Sequence, residues 1–349
     1  MNIRLDGGRA MRNHEVLQEQ PLLGTDGKIT EPGWARRQVW KYDRNAVKAP
    51  AWKIKEWDYY LVGNDEFAVA FTISDDGYIG LQSVSFLDFT EPMEHTETIL
   101  NLLPLGKQKM PSQSATGDCE FRNSKMHLKY TVTPGKRRIQ CKYKNFYHGK
   151  PFSCDIFLDQ PHIDSIVTAI PWKDSDAFYY NQKINCLRAS GAVKFDGRIF
   201  YLNPERDFGT LDWGRGVWTY DNIWYWGSGN GIVCGKPFGF NLGYGFGDTH
   251  AATENIIFYD GVGHKLDDIV FHIPQDTYLA PWKISSSDGR FEMKFIPVID
   301  RAAKLDVKVL ESDQHQVFGR ATGHAILDDG TVLQVKDLMC FFEKVHNRY

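Results

Sequence analysis

The segment SGAVKFDGRIFYL, residues 190–202, decides the fold class. Apolar residues alternate on either side of Asp196-Gly197, and such a dipeptide tolerates positive φ at both central turn positions. The segment therefore reads as strand, turn, strand. The same dipeptide recurs at 26–27, 76–77, 260–261, 288–289 and 329–330. Three longer stretches have the same form: EFAVAFTISDDGYIGLQSVSFLDF (66–89), ENIIFYDGVGHKL (254–266) and GHAILDDGTVLQVKDLMCFFEKV (323–345). Helical signals are few. NHEVLQEQPLL (13–23) could hold a turn or two before Pro21, and EHTETILNLLPL (94–105) is a short amphipathic candidate stopped by Pro104. Repeated short strands with turn signals predict an all-β protein of barrels or sandwiches.

A chain of 349 residues exceeds one ordinary core, so two β domains are expected. The boundary is placed in SIVTAIPWKDSDAFYYNQK (165–183), where one strand ends at Pro171 and a polar KDSD opens the next, giving domains 1–172 and 173–349. A net charge of −3 carries no general attraction to phosphate backbones or anionic lipid and argues against nucleic acid as the main partner. Aromatic residues reach 14%, which suits strands and a small-molecule pocket. The polar start and the lack of any apolar run of roughly 18 residues predict no signal peptide and no membrane span, with Met11 an alternative start. Six scattered cysteines, without C-x-x-C or Cys-His spacing, read as buried reduced thiols of a cytoplasmic protein.

No cofactor or metal is expected. H-E-x-x-H and G-x-S-x-G are absent, and GYGFGD has no following helix to make it a phosphate loop. Two stretches carry the candidate chemistry. In PFGFNLGYGFGDTHAATEN (237–255), an extended chain places Phe238, Phe240, Leu242, Tyr244, Phe246 and Asp248 on one face and four glycines on the other. Those glycines mark either a bend of a barrel covered by rings or a close approach of a ligand. Asp248, His250 and Glu254 would then stand at a barrel mouth. At the start of LDWGRGVWTYDNIWYW (211–226), Gly214 and Gly216, with Gly209 just before it, favour a tight turn in which Asp212 and Arg215 pair. Asp212 is either a clasp for that turn or, desolvated among tryptophans, a general acid. Trp213, Trp218, Trp224 and Trp226 are read as a wall of flat surface for core packing or ligand stacking, with Tyr244 a further ligand contact.

QPLLGTDGKITEPGWARR, NQKINCLRASGAVKFDGRIFYLNPERDFGTLDWGRGVW and GFNLGYGFGDTHAATENIIFYDGVGHKL resemble a bacterial family of unknown function, with LDWGRGVW and ATEN the specific parts. That family is distantly similar to the two-barrel lipocalin-like superfamily that includes the carotenoid 1,2-hydratases (hydroxyneurosporene synthase type). CFFEKVHNRY is similar to the closing strand of those proteins. The resemblance implies two tandem lipocalin-like antiparallel β-barrels with a pocket near their junction.

The functional expectation is a small-molecule enzyme of hydratase, dehydratase or isomerase type. Asp212, Asp248, Glu254 and His250 would exchange protons, Arg215 would orient a carboxylate, and the tryptophans would stack on an apolar substrate. A glycoside hydrolase or lyase with paired carboxylates, and a non-catalytic carrier, stay open as alternatives.

Overall fold

The computed structural model describes residues 12–348 other than 174, 308 and 309, so Met11 and Asp174 of the expected boundary lie outside the described residues. Two antiparallel sheets dominate. The order in the first is Met93–Leu102, Ile79–Asp88, Phe67–Asp75, Ile54–Gly63, Phe208–Val217, Phe178–Phe195, Lys150–Asp159, Lys136–Tyr147, Met126–Thr133 and Cys119–Arg122, with three short strands added at its side. The second runs Val262–Lys265, Ile256–Tyr259, Lys236–Tyr244, Asp221–Val233, Val332–Arg348, Leu310–Ile326, Phe291–Val307, Trp282–Ser286 and Ile269–His272. Each curls about its own apolar core. Phe71, Tyr130, Ile156 and Trp213 belong to the first, and Phe240, Trp282, Phe295 and Phe342 to the second. A third apolar group, including Tyr59, Tyr179, Trp226, Phe246 and Phe341, lies where the two sheets meet. The architecture is two lipocalin-like β-barrels in tandem, and no described helix is long and apolar enough to cross a membrane.

The Asp-Gly turns sit where local backbone chemistry places them. Asp196 and Gly197 adopt φ of 48° and 82°, Asp260 and Gly261 49° and 85°, and each pair joins two paired strands. The dipeptides at 76–77, 288–289 and 329–330 likewise connect neighbouring antiparallel strands. All six cysteines are free, Cys234 exposed and the others buried.

Four expectations are corrected. The helix expected at 94–105 is the edge strand Met93–Leu102, whose residues alternate half-buried and exposed against Ile79–Asp88. Its β-branched Thr96, Thr98 and Ile99 favour the pleat, and the apolar Leu100 and Leu102 are exposed. No helix occurs at 13–23, where Gln20–Pro21 instead pairs in parallel with Trp40–Lys41. The turn expected around Gly209, Gly214 and Gly216 is the strand Phe208–Val217, buried along its whole length. Finally, the chain passes between sheets at 218–220 and not at 172, because Phe178–Phe195 and Phe208–Val217 complete the first sheet.

Candidate active site between the barrels

Strand alternation sorts the key stretch onto two faces. Leu211 and Trp213 point into the core of the first barrel. Arg215, on the same face of the strand, is fully buried and lies 4.1 Å from the Trp213 ring centre. It pairs with Asp58 at 3.0 Å and donates to the carbonyls of Trp57, Gly214 and Pro111. The expected Asp212–Arg215 pair does not form, because residues three apart in an extended strand face opposite ways. Asp212 faces the second barrel. Its Oδ1 accepts from Asn181 Nδ2 at 2.7 Å, and its Oδ2 lies 2.7 Å from the ammonium of buried Lys183. Lys183 also stands 4.0 Å from the centre of the Trp226 ring, a cation–π contact across the junction.

Two further carboxyls meet this pair. Glu254 follows an exposed turn and is buried, its Oε2 accepting from Tyr179 OH at 3.2 Å. Burial raises its carboxyl above the usual range against the pull of Lys183, and the charge of Asp212 adds to the rise. Glu254 Oε1 is buried with no hydrogen-bond partner among the described residues. It rests on Gly243, where a Cβ would lie 2.2 Å from it. Part of the glycine face of 237–255 therefore serves a carboxyl group. Glu343, on Val332–Arg348, accepts from Trp224 Nε1 at 3.1 Å and Gln316 Nε2 at 2.9 Å. Burial pushes it up to about 7, with those hydrogen bonds and Lys183 opposing. The Tyr59 hydroxyl is buried there too, without a hydrogen-bond partner among the described residues.

The aromatic wall is built differently from the expected one. Trp213 belongs to the first barrel, whereas Trp218 and Trp224 meet edge to face at 4.9 Å, with Trp57 and Trp172 packed on Trp218. Gly214 makes room for this wall, since a Cβ there would lie 2.0 Å from the Trp57 ring. Trp226 sits deeper, against Tyr59 and Phe341. At the other end of the junction is a cavity of about 50 Å³ whose lining includes Leu61, Thr210, Ser228, Phe318 and Phe341. Each of these is two residues along its strand from Tyr59, Asp212, Trp226, Gln316 or Glu343 respectively. On a pleated strand that is the next side chain on the same face, about 7 Å away. The carboxyl cluster thus lies between an aromatic rim and a small cavity of mixed polar and apolar lining.

Other expected residues lie elsewhere. Tyr244 stacks on Tyr225 at 4.4 Å in the second barrel. Gly245 and Gly247 have φ of 93° and 84°, so the extended chain stops at Tyr244 and Asp248 does not share a face with it. Asp248 and His250 are exposed, Asp248 accepting from the His250 backbone N–H at 3.0 Å. The structure brings Asp212, Glu254, Trp218, Trp224 and Trp226 together, and adds Lys183, Asn181, Tyr59, Tyr179, Gln316 and Glu343. For Glu343 the available signal was a charge directly after the apolar run Cys340–Phe342, whereas Lys183, in the polar stretch NQKINC, gave none.

Comparison with known proteins agrees with this architecture. Residues 13–349 match the family described as Domain of unknown function (DUF2804), and the chain belongs to that family. No curated protein matches in sequence. Among solved structures, a protein assigned as AttH from Nitrosomonas europaea is similar in fold, at TM-score 0.51 and 11% identity, covering 88% of this chain and 97% of that one. CghA matches at TM-score 0.50 and 9% identity, covering 94% and 97%. Kievitone hydratase from Nectria haematococca matches at 0.45 and 9%, covering 95% and 98%.

Proposed function

We propose that the junction between the barrels is the active site of a hydratase, dehydratase or isomerase acting on a small apolar or flat alkene. Glu254, protonated, gives its proton from Oε1 to one alkene carbon, leaving a cation on the other. Glu343, as the carboxylate, takes a proton from the water that attacks that cation, or from a neighbouring carbon if the product is an isomer. The reverse sequence eliminates water. The proton then returns to Glu254 by exchange with solvent. The Lys183–Asp212 pair supplies fixed charges, and Trp224, Trp226 and Tyr59 offer electron-rich faces to the developing cation. The single observation that carries this reading is the pair of buried carboxyl groups held above the usual range, Glu343 at about 7, gathered around the Lys183–Asp212 pair where the barrels meet. The distant similarity of this chain's family to the superfamily that includes the carotenoid 1,2-hydratases supports the same reaction class.

The test is proton exchange in D₂O with a panel of isoprenoid and aromatic alkenes, read by mass spectrometry. Deuterium should enter at carbon in at least one compound, and Glu254→Gln and Glu343→Gln should each slow entry by about 10²-fold or more, the usual worth of a general acid or base. Exchange in none of the compounds, or exchange undiminished in both variants, refutes the assignment.

A further inference from the structure

The mouth of the second barrel holds a cavity of about 460 Å³, on the opposite face of its sheet from the carboxyl cluster. Its size is that of a small-molecule site. Tyr225, Phe271 and Tyr278 line it, with Lys344 at its wall and the loop 273–278 across it. Tyr225 is already stacked on Tyr244, and both meet Phe271 edge to face, at 6.2 and 5.4 Å. Together they give a rigid platform for a flat ring. Tyr278 is stacked on His315 at 3.9 Å, and His315 is held in turn by Asp300 at 2.8 Å. Lys344 is paired across the sheet with both Tyr225 and His315, so its stem is fixed beside the platform.

The charges of this mouth are unequally satisfied. Asp300 and Asp313 both contact His315. Lys344 is half-buried, and its ammonium has no hydrogen-bond or carboxylate partner among the described residues. Asp276 also lines the cavity but stands exposed in the loop, where water solvates it. We propose that the mouth of the second barrel is a separate binding site for a flat aromatic carboxylate, whose ring lies on the Tyr225–Tyr244 platform and whose anion meets Lys344. The site does not depend on the acid–base reading of the junction, since no residue is shared between the two.

Calorimetric titration of the full chain with 2-naphthoate, 2-naphthamide and 2-naphthylmethylammonium tests it. One equivalent of 2-naphthoate should bind saturably and more tightly than the amide or the ammonium compound. Lys344→Met should weaken it about tenfold or more, as expected for loss of a charge-assisted hydrogen bond, and Lys344→Arg should restore it. Tyr278→Ala, a change confined to the loop, should weaken it as well and serves if Lys344→Met fails to fold. Glu343→Gln should leave the titration unchanged. Absence of saturable binding, preference for the ammonium compound, indifference to the Lys344 and Tyr278 changes, or loss of binding in Glu343→Gln each overturns the proposal.

Discussion

The ammonium of Lys183 lies 2.7 Å from Asp212 Oδ2, and both side chains are withdrawn from water between two barrels. Removing one partner strands the other charge in a medium that cannot solvate it, at a cost of roughly 3–5 kcal/mol. Lys183→Met should therefore lower the urea midpoint strongly. The double change Lys183→Met with Asp212→Leu should recover much of the loss. A double change as unstable as the single one would show that the pair contributes more than mutual neutralisation.

Glu343 gives stability an unusual pH dependence. Its folded value of about 7 lies above an ordinary carboxyl's 4.5, so the folded chain holds the proton more tightly than the unfolded chain. Its contribution is complete below pH 4.5 and is lost as pH rises through about 7, a change of about 3 kcal/mol at most. Melting temperature measured across that window should fall with rising pH, and Glu343→Gln should flatten the slope. An unchanged slope in the variant assigns the proton to another group.

Gly243→Ala places a Cβ 2.2 Å from Glu254 Oε1 and 2.8 Å from the Phe246 ring. Overpacking of this kind costs about 1–3 kcal/mol and should move the carboxyl out of position. Proton exchange should suffer as much as in Glu254→Gln, while the near-ultraviolet circular dichroism stays folded. Full exchange activity in Gly243→Ala would mean that Glu254 tolerates displacement.

Arg215 distributes its guanidinium over Asp58 and three carbonyls, a fork that an ammonium cannot copy. Arg215→Lys should destabilise the first barrel by about 2 kcal/mol or more, since at least one buried acceptor loses its donor. Differential scanning calorimetry would detect this, and a variant as stable as the parent would show that water replaces the lost contacts.

Asp248 and His250 lie in an exposed turn. His250→Ala should change stability by less than about 0.5 kcal/mol. Asp248→Ala should cost about 1 kcal/mol for its lost turn hydrogen bond. Neither should alter proton exchange by more than about twofold, and a large loss in either would return that residue to the site.

What the sequence made legible was what local chemistry decides. Asp196-Gly197 and Asp260-Gly261 announce hairpins because their positive φ is a property of two adjacent residues. Glu254 and Asp212 stood out as acids among apolar and aromatic neighbours. The rest depended on distant partners. Gly214 is glycine because of the Trp57 ring, and Lys183 matters because a tryptophan from the other sheet covers it. Glu343 looked like one more charge in a closing strand, and only the pleat that turns it toward Trp224 and Gln316 sets it apart from Lys344. The stretch 94–105 has the apolar content of a short amphipathic helix, yet its residues 94–102 lie in the edge strand Met93–Leu102, with Leu100 and Leu102 exposed.

The order of the second sheet has a consequence for synthesis on the ribosome. Val332–Arg348 is the last strand of that sheet in the chain, yet it sits between Asp221–Val233 and Leu310–Ile326. Until it emerges, the strands already made have no common partner and cannot join into one sheet. The same strand brings Glu343. The segment that closes the second barrel therefore also delivers the last buried carboxyl of the junction, so the cluster is complete only once that barrel is.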